Sequence, residues 1–234
     1  MGLLGEAVVV LWFDIDADRA AEFEDWHSHE HMPERLRVPG FRRGVRWMAR
    51  AGAPSYFVMY EVASFDTLIS APYLERLNNP TPWTTKVMPC VRNTIRSLCR
   101  TRSSFGVGVG QTILTIRLSP VRGREDALRG WLIQAALPGL ARRPGIVGAH
   151  LIEAEAPAGV PKVKEQELRG GDASADWVIL VQGYDSDAIA GLPHNDLRRE
   201  VLAQHGASSE QVDAVYCARF ALTDADVTAL DRSA

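Results

Sequence analysis

Residues 7 to 40 and 112 to 145 are one segment written twice, at a constant offset of 105 and without a gap. The apolar run Val8-Val9-Val10-Leu11-Trp12-Phe13 returns as Ile113-Leu114-Thr115-Ile116-Arg117-Leu118. Trp26 returns as Trp131, Pro33 as Pro138, Arg37 as Arg142, and Pro39-Gly40 as Pro144-Gly145. Identities are few, but the matched spacing and apolar pattern define a repeat, and a repeat constrains the fold before any single element does. It also separates scaffold from chemistry. What both copies keep belongs to architecture; what one copy alone has is a candidate for function.

The elements follow from period and punctuation. Residues 7 to 14 read as a strand, and a helix capped by Asp16 or Asp18 runs to about Leu36. Pro33 is expected to kink or end it, because a prolyl nitrogen cannot donate to the carbonyl of His29. Residues 41 to 51 and 56 to 63 read as a hairpin around Gly52-Ala53-Pro54. A short helix starts at Ser64, a loop covers Asn78 to Pro82, and a long strand covers residues 91 to 103. The order is β-α-β-β-α-β, the ferredoxin-like unit. The second half repeats it: strand 111 to 119, helix 122 to 141, strand 146 to 154, then Trp177 to Val181 matching Tyr56 to Tyr60 at an offset of 121. The 16 added residues fall in a hairpin at 155 to 174, rich in Gly, Pro and charge and expected to be mobile. A helix near 194 to 204 and a strand from Val212 to Leu222 complete the pattern. The fold class is α+β, two tandem ferredoxin-like units: 1 to 105, a glycine-rich linker at 106 to 110, and 111 to 234.

Composition narrows the function. The net charge is −3 with both signs interspersed, which gives no basic face for nucleic acid. The basic stretch Arg92 to Arg102 alternates as a solvated strand face would. Three cysteines without metal spacing fit a reduced, cytoplasmic compartment. The opening MGLLGEAVVVLWFDID lacks the basic start and apolar length of a signal peptide or membrane span.

The two copies diverge most in the helix. The first reads Trp26-His27-Ser28-His29-Glu30-His31-Met32-Pro33-Glu34, the second Trp131-Leu132-Ile133-Gln134-Ala135-Ala136-Leu137-Pro138-Gly139. At 100° per residue, Phe23, Trp26, His27, Glu30, His31 and Glu34 share one face. Its counterpart is apolar or small throughout, so this face is expected to pack on the sheet, with His29 on the opposite, exposed side. Burying such groups costs several kcal/mol unless they are paired or line a cavity. Three readings follow: a structural His–Glu network, an acid/base pocket, and a metal site. His31 is the candidate acid/base, with His27 and Glu30 as helpers. His27, Glu30 and His31 also spell H-x-x-E-H, a short zinc-protease pattern without the domain that normally carries it. Trp26, Arg46, Tyr60, Asn79 and Trp83 are the candidate substrate contacts. No metal ligand set is assigned.

The stretch WHSHEHMPERLRVPGF, Trp26 to Phe41, resembles the EthD-like branch of the dimeric α+β barrel superfamily. There, an aromatic residue, H-x-P and P-G lie as Trp26, His31 with Pro33, and Pro39-Gly40 do here. The resemblance implies two ferredoxin-like sheets forming a barrel, here within one chain. It also implies one active site per chain, because Ala136 replaces the H-x-P histidine in the second copy. The superfamily spans cyclases, isomerases, cofactor-free monooxygenases and haem enzymes, so fold alone does not fix activity. The expectation is a cofactor-independent enzyme performing isomerase, cyclase, dehydratase or lyase chemistry on an aromatic or polyketide-like small molecule. The alternatives are a non-catalytic binding or accessory protein and a metal- or haem-dependent oxygenase or lyase. A homodimer is compatible with either.

Overall fold

The computed structural model describes residues 2–50, 52, 54–156 and 162–233. Ala51 and Ala53 of the first hairpin turn, and residues 157–161 of the second, lie outside the described residues. The strands are β1 (Ala7–Ile15), β2 (Phe41–Ala49), β3 (Tyr56–Val62), β4 (Val91–Gly106), β5 (Thr112–Pro120), β6 (Ile146–Ala154), β7 (Trp177–Gly183) and β8 (Ala207–Thr223). They are hydrogen-bonded in the order β1-β3-β2-β8-β5-β7-β6-β4, a closed eight-stranded sheet, so the α+β class with barrel topology is the one found.

The chain forms two compact units that interleave in sequence. The first comprises Leu4–Cys99, Glu155–Ser174 and Arg219–Ala234; the second comprises Met1–Leu3, Arg100–Ala154 and Ala175–Ala218. In the first unit β3 lies between β1 and β2, running from Ala7 opposite Val62 to Phe13 opposite Tyr56. In the second, β7 lies between β5 and β6. Each unit has an irregularity at the same place, between Phe41 and Arg43 and between Ile146 and Gly148, 105 residues apart. β3 and β7 are buried along their whole length, which explains their near-continuous apolar sequences.

The first unit carries α1 (Ala20–Trp26), a widened turn His27–His31, α2 (Met32–Leu36), α3 (Ala71–Asn78), α4 (Pro82–Val87), α7 (Lys164–Leu168) and α10 (Asp224–Ser233). The second carries α5 (Glu125–Trp131), a widened turn Leu132–Ala136, α6 (Leu137–Leu140), α8 (Ser186–Gly191) and α9 (Arg199–Gln204). Asp16 precedes a short 3-10 turn and makes no side-chain cap, while Ser70 and Thr81 cap α3 and α4.

Pro33 does not end the helix, contrary to expectation. The turn before it opens to i→i+5 spacing, with the Met32 N–H donating to the His27 carbonyl. An extra residue in that turn lets the chain pass a residue with no N–H, and the helix resumes. Leu137 donates to Leu132 in the same way, ahead of Pro138. The wide turn is therefore a property of the scaffold, written into both copies by the proline.

The Pro-Gly turns are equally architectural. Gly40 has φ +96° and Gly145 φ +85°, and a Cβ on Gly40 would lie 2.5 Å from Thr67 Oγ1. Gly40→Ala should cost about 1–3 kcal/mol through left-handed strain plus this clash, read as a lowered urea midpoint at unchanged slope. A midpoint within error of the parent would mean that the turn relaxes freely.

Candidate active site

The helix face of the first unit holds a cavity with about 550 Å³ of atom-free space, partly continuous with solvent. Its walls include Phe23, Trp26, His27, His31 and Arg35 from α1, the wide turn and α2, together with Val58 and Tyr60 from β3. Tyr73, Thr94, Arg96, Glu165 and Arg169 reach it from α3, β4 and the 155–174 insertion.

The wide turn selects which helical residues reach this space. One extra residue advances the helical phase by about 100°. The unperturbed phase groups Glu30 and Glu34 with the histidines; the observed lining is His27, His31 and Arg35, at spacings of four. Trp26 packs against His31 with ring centroids 4.4 Å apart and planes tilted by 40°, and the two histidine rings are 5.5 Å apart. His27 is 3 % exposed and His31 8 %, whereas His29 is exposed. Tyr60 Oη lies 3.2 Å from His27 Nε2.

Among the described residues, three buried polar atoms of the cavity have no partner: Nδ1 of His27, Nδ1 of His31 and Oγ1 of Thr94. Unpaired buried polar atoms are uncommon because each costs about 1–3 kcal/mol. Burial, reinforced by Arg46 and Arg35, drives the His27 pKa well below its usual value. Burial, then Arg35, His27 and Arg169, does the same to His31. Both rings are neutral at pH 7. Burial likewise raises the Tyr60 phenol, which stays protonated.

Arg35 is the buried cation of the site, 1 % exposed. Burial opposes its charge, but Glu165, then Tyr73 and Glu34, more than offset that. Its guanidinium donates to Glu165 and, at 3.2 Å, to Glu34. Glu165 arrives from the insertion. The described residues 162–174 of that insertion pack on the first unit: Val163 and Glu165 are buried, and Ala173 bonds the backbone of Thr94 and Arg96. Charge in this stretch pairs with Arg35 and within itself, which is why it packs. The basic stretch of β4 is corrected. Its end arginines, Arg92 and Arg102, are exposed as a solvated face requires, but Arg96 and Arg100 are half-buried and Arg96 faces the cavity.

Of the residues singled out in sequence, Trp26, His27, His31 and Tyr60 meet at the cavity. Glu30 does not bond either histidine. Its carboxylate accepts from Trp26 Nε1 at 3.1 Å, Thr81 Oγ1 at 2.6 Å and Thr84 Oγ1 at 3.3 Å, tying α1 to α4. Arg46 is buried behind Phe23 and donates to the Glu24 carbonyl at 3.2 Å, outside the lining. Asn79 is exposed and closes α3 by donating to the Glu75 carbonyl, and Trp83 packs on the surrounding core rather than in the cavity. Arg35, Tyr73, Thr94, Arg96, Glu165 and Arg169 were not anticipated. Two signals pointed to some of them: Leu140 stands where the first copy has Arg35, and only one hairpin carries the insertion.

Among the described residues, no group of three or more His, Cys, Asp or Glu side chains is placed to hold a metal ion, and H-x-x-E-H does not assemble as a ligand set. Nor is any described helix long and apolar enough to cross a membrane.

No family model matches the sequence, and no curated protein matches it. Solved structures do share its fold. An anthrone oxidase-like protein superposes with TM-score 0.61 at 10% identity, over 96% of each chain. A putative monooxygenase from Lactobacillus acidophilus NCFM gives 0.59 at 7%, over 94% of this chain and 97% of that one. A haem-binding protein from Thermus thermophilus gives 0.53 at 11%, over 97% and 94%. These likenesses establish the ferredoxin-like, dimeric α+β barrel fold.

Proposed function

We propose that the cavity of the first unit is the active site of a cofactor-independent enzyme that moves a proton on a small, planar aromatic or polyketide-like molecule. One asymmetry carries the reading. Where the second repeat has Leu132, Ala136, Leu140 and Val181, the first has His27, His31, Arg35 and Tyr60, all on one cavity. The apolar versions sit in a filled core: Leu132, Leu140 and Val181 are fully buried in the second unit's cluster. The scaffold does not need the polar set, so the set answers to something else. Of these four, the EthD-like resemblance of Trp26 to Phe41 supports His31, its H-x-P histidine.

The chemistry follows from the charge states. His31, neutral and buried beside Trp26, takes a proton from an activated C–H or O–H of the substrate. Tyr60 and His27 form a bonded pair that orients the substrate oxygen. The aromatic walls exclude water and fix a flat ligand.

The name of the Thermus neighbour raises haem. His27 Nε2 is engaged by Tyr60 Oη, so of the two cavity histidines His31 is the one that would hold a haem iron. The names of the other two neighbours favour a second reading, in which the deprotonated substrate is then oxidised by dioxygen.

The test is solvent deuterium exchange into a panel of aromatic and polyketide-like carbon acids, followed by NMR. The His27→Leu, His31→Ala variant copies the second repeat and should fold while losing about 10²–10⁴-fold in exchange rate. Full activity in that folded variant would remove the catalytic reading. Oxygen uptake coupled to substrate loss would select the second reading over the first.

A further inference from the structure

The cavity's three arginines are paired unequally. Arg35 is neutralised by Glu165 and Glu34. Arg169 is neutralised by Asp172, through contacts of 2.7 Å to each carboxylate oxygen, with both side chains about 5 % exposed or less. Gln166 Nε2 also donates to Asp172, at 2.8 Å. Arg96 lines the same cavity, and among the described residues no carboxylate forms an ion pair with it; Asp172 feels its charge without bonding it. Its side chain donates from Nη2 to Tyr73 Oη at 3.1 Å. Thr94, two residues earlier on β4, presents to the same cavity a buried Oγ1 without a partner.

The placement is built rather than accidental. The insertion meets β4 at this point: Ala173 bridges Ile95, its N–H donates to the Thr94 carbonyl and its carbonyl accepts from the Arg96 N–H. The insertion thus brings Arg169, already neutralised, and leaves Arg96 as the cation still to be satisfied. Successive side chains alternate along a strand, so residues 94 and 96 share a face. A guanidinium and a hydroxyl side by side can bind the two oxygens of a carboxylate.

We infer that the ligand carries an anionic oxygen group, a carboxylate or an ionised phenol or enol, and that Arg96 with Thr94 binds it while the aromatic walls hold the ring. This rests on the proposed function only in taking the cavity to be the ligand site. It makes Arg96 a specificity residue, separate from the proton-transfer group His31 and the orienting pair His27 and Tyr60.

Benzoate, ionised at pH 7, and benzamide, its neutral isostere, are the probes, with dissociation constants measured by NMR titration of the full chain. The wild type should bind benzoate at least about tenfold more tightly than benzamide. Arg96→Gln should bring the two within about twofold, leaving benzamide unchanged, and Arg96→Lys should keep part of the preference. Equal binding of both probes by the wild type overturns the inference, as does a preference that survives Arg96→Gln. Should that variant fail to fold, the wild type still decides: the side-chain Nε–H signal of Arg96 must shift with benzoate and not with benzamide. Benzamide binding without a benzoate preference sinks this inference alone. Absence of binding by either probe sinks the ligand class of the proposed function with it.

Discussion

Arg35→Leu is expected to destabilise the protein by about 3–5 kcal/mol, the typical cost of leaving one member of a buried ion pair alone. Arg35 is 1 % exposed and Glu165 2 %, so neither can rehydrate without local opening. Losing Arg35 strands Glu165 and also removes a partner of Glu34, whose carboxyl pKa is already raised by burial. The double change Arg35→Leu, Glu165→Leu removes both charges and should recover most of the loss, because a buried ion pair replaced by apolar groups is often neutral. Leu140 occupies the equivalent place in the second repeat, where it is 2 % exposed and part of the core. Urea unfolding of the two single variants and the double variant completes a mutant cycle. A single-variant loss under about 1 kcal/mol would mean that the pair is solvated. The same series tests the insertion: with Arg35 gone, residues 162–174 should become the first site of proteolytic cleavage.

Most of the scaffold was legible because the repeat gave each element twice. β1 and β5, α1 and α5, and both wide turns start 105 residues apart, and the strands match their period-two and fully apolar patterns. The sequence expectation placed the histidines on the buried face correctly, since His27 and His31 fall within a turn of Trp26 whichever helical pitch is used. It failed one turn later. Glu34 and Arg35 exchange roles because Pro33 widens the preceding turn instead of breaking the helix, and ideal helical phase carries no term for that. Glu30 was misread for a different reason: its three donors, Trp26, Thr81 and Thr84, include two from a segment more than 50 residues away. Long-range pairing leaves no periodic trace. The insertion was visible as a length difference, but its buried charge read as loop composition. Only the position of Arg35 across from it explains why Glu165 is buried.

Acid should both inactivate and destabilise this protein through the same two rings. A carboxylate beside His31 would shift its pKa upward; here burial and the neighbouring arginines shift both His27 and His31 well below the usual 6.5. The folded state therefore refuses protons that the unfolded chain accepts below about pH 6.5. Stability rises with pH wherever the unfolded state binds more protons, so it is complete above about pH 6.5 and is lost as pH falls toward the depressed folded-state values. At about pH 5.5 each ring that stays neutral in the fold costs about 1.4 kcal/mol, roughly 3 kcal/mol for the pair. Glu34 and Glu61, whose pKa values burial raises, work in the opposite sense but nearer the carboxylate range. The informative window is thus roughly pH 5.5 to 7. Wild-type urea midpoints should drop across it, and those of His27→Leu, His31→Ala should stay nearly level, so that the variant overtakes the parent at its acid end. Activity should remain on its plateau at about pH 6.5, because the base form persists there, and the acid limb should fall below that value. Histidine C2–H resonances that titrate at about 6.5, together with a level wild-type stability profile, would show that the two rings are solvated and would remove them as a buried neutral pair.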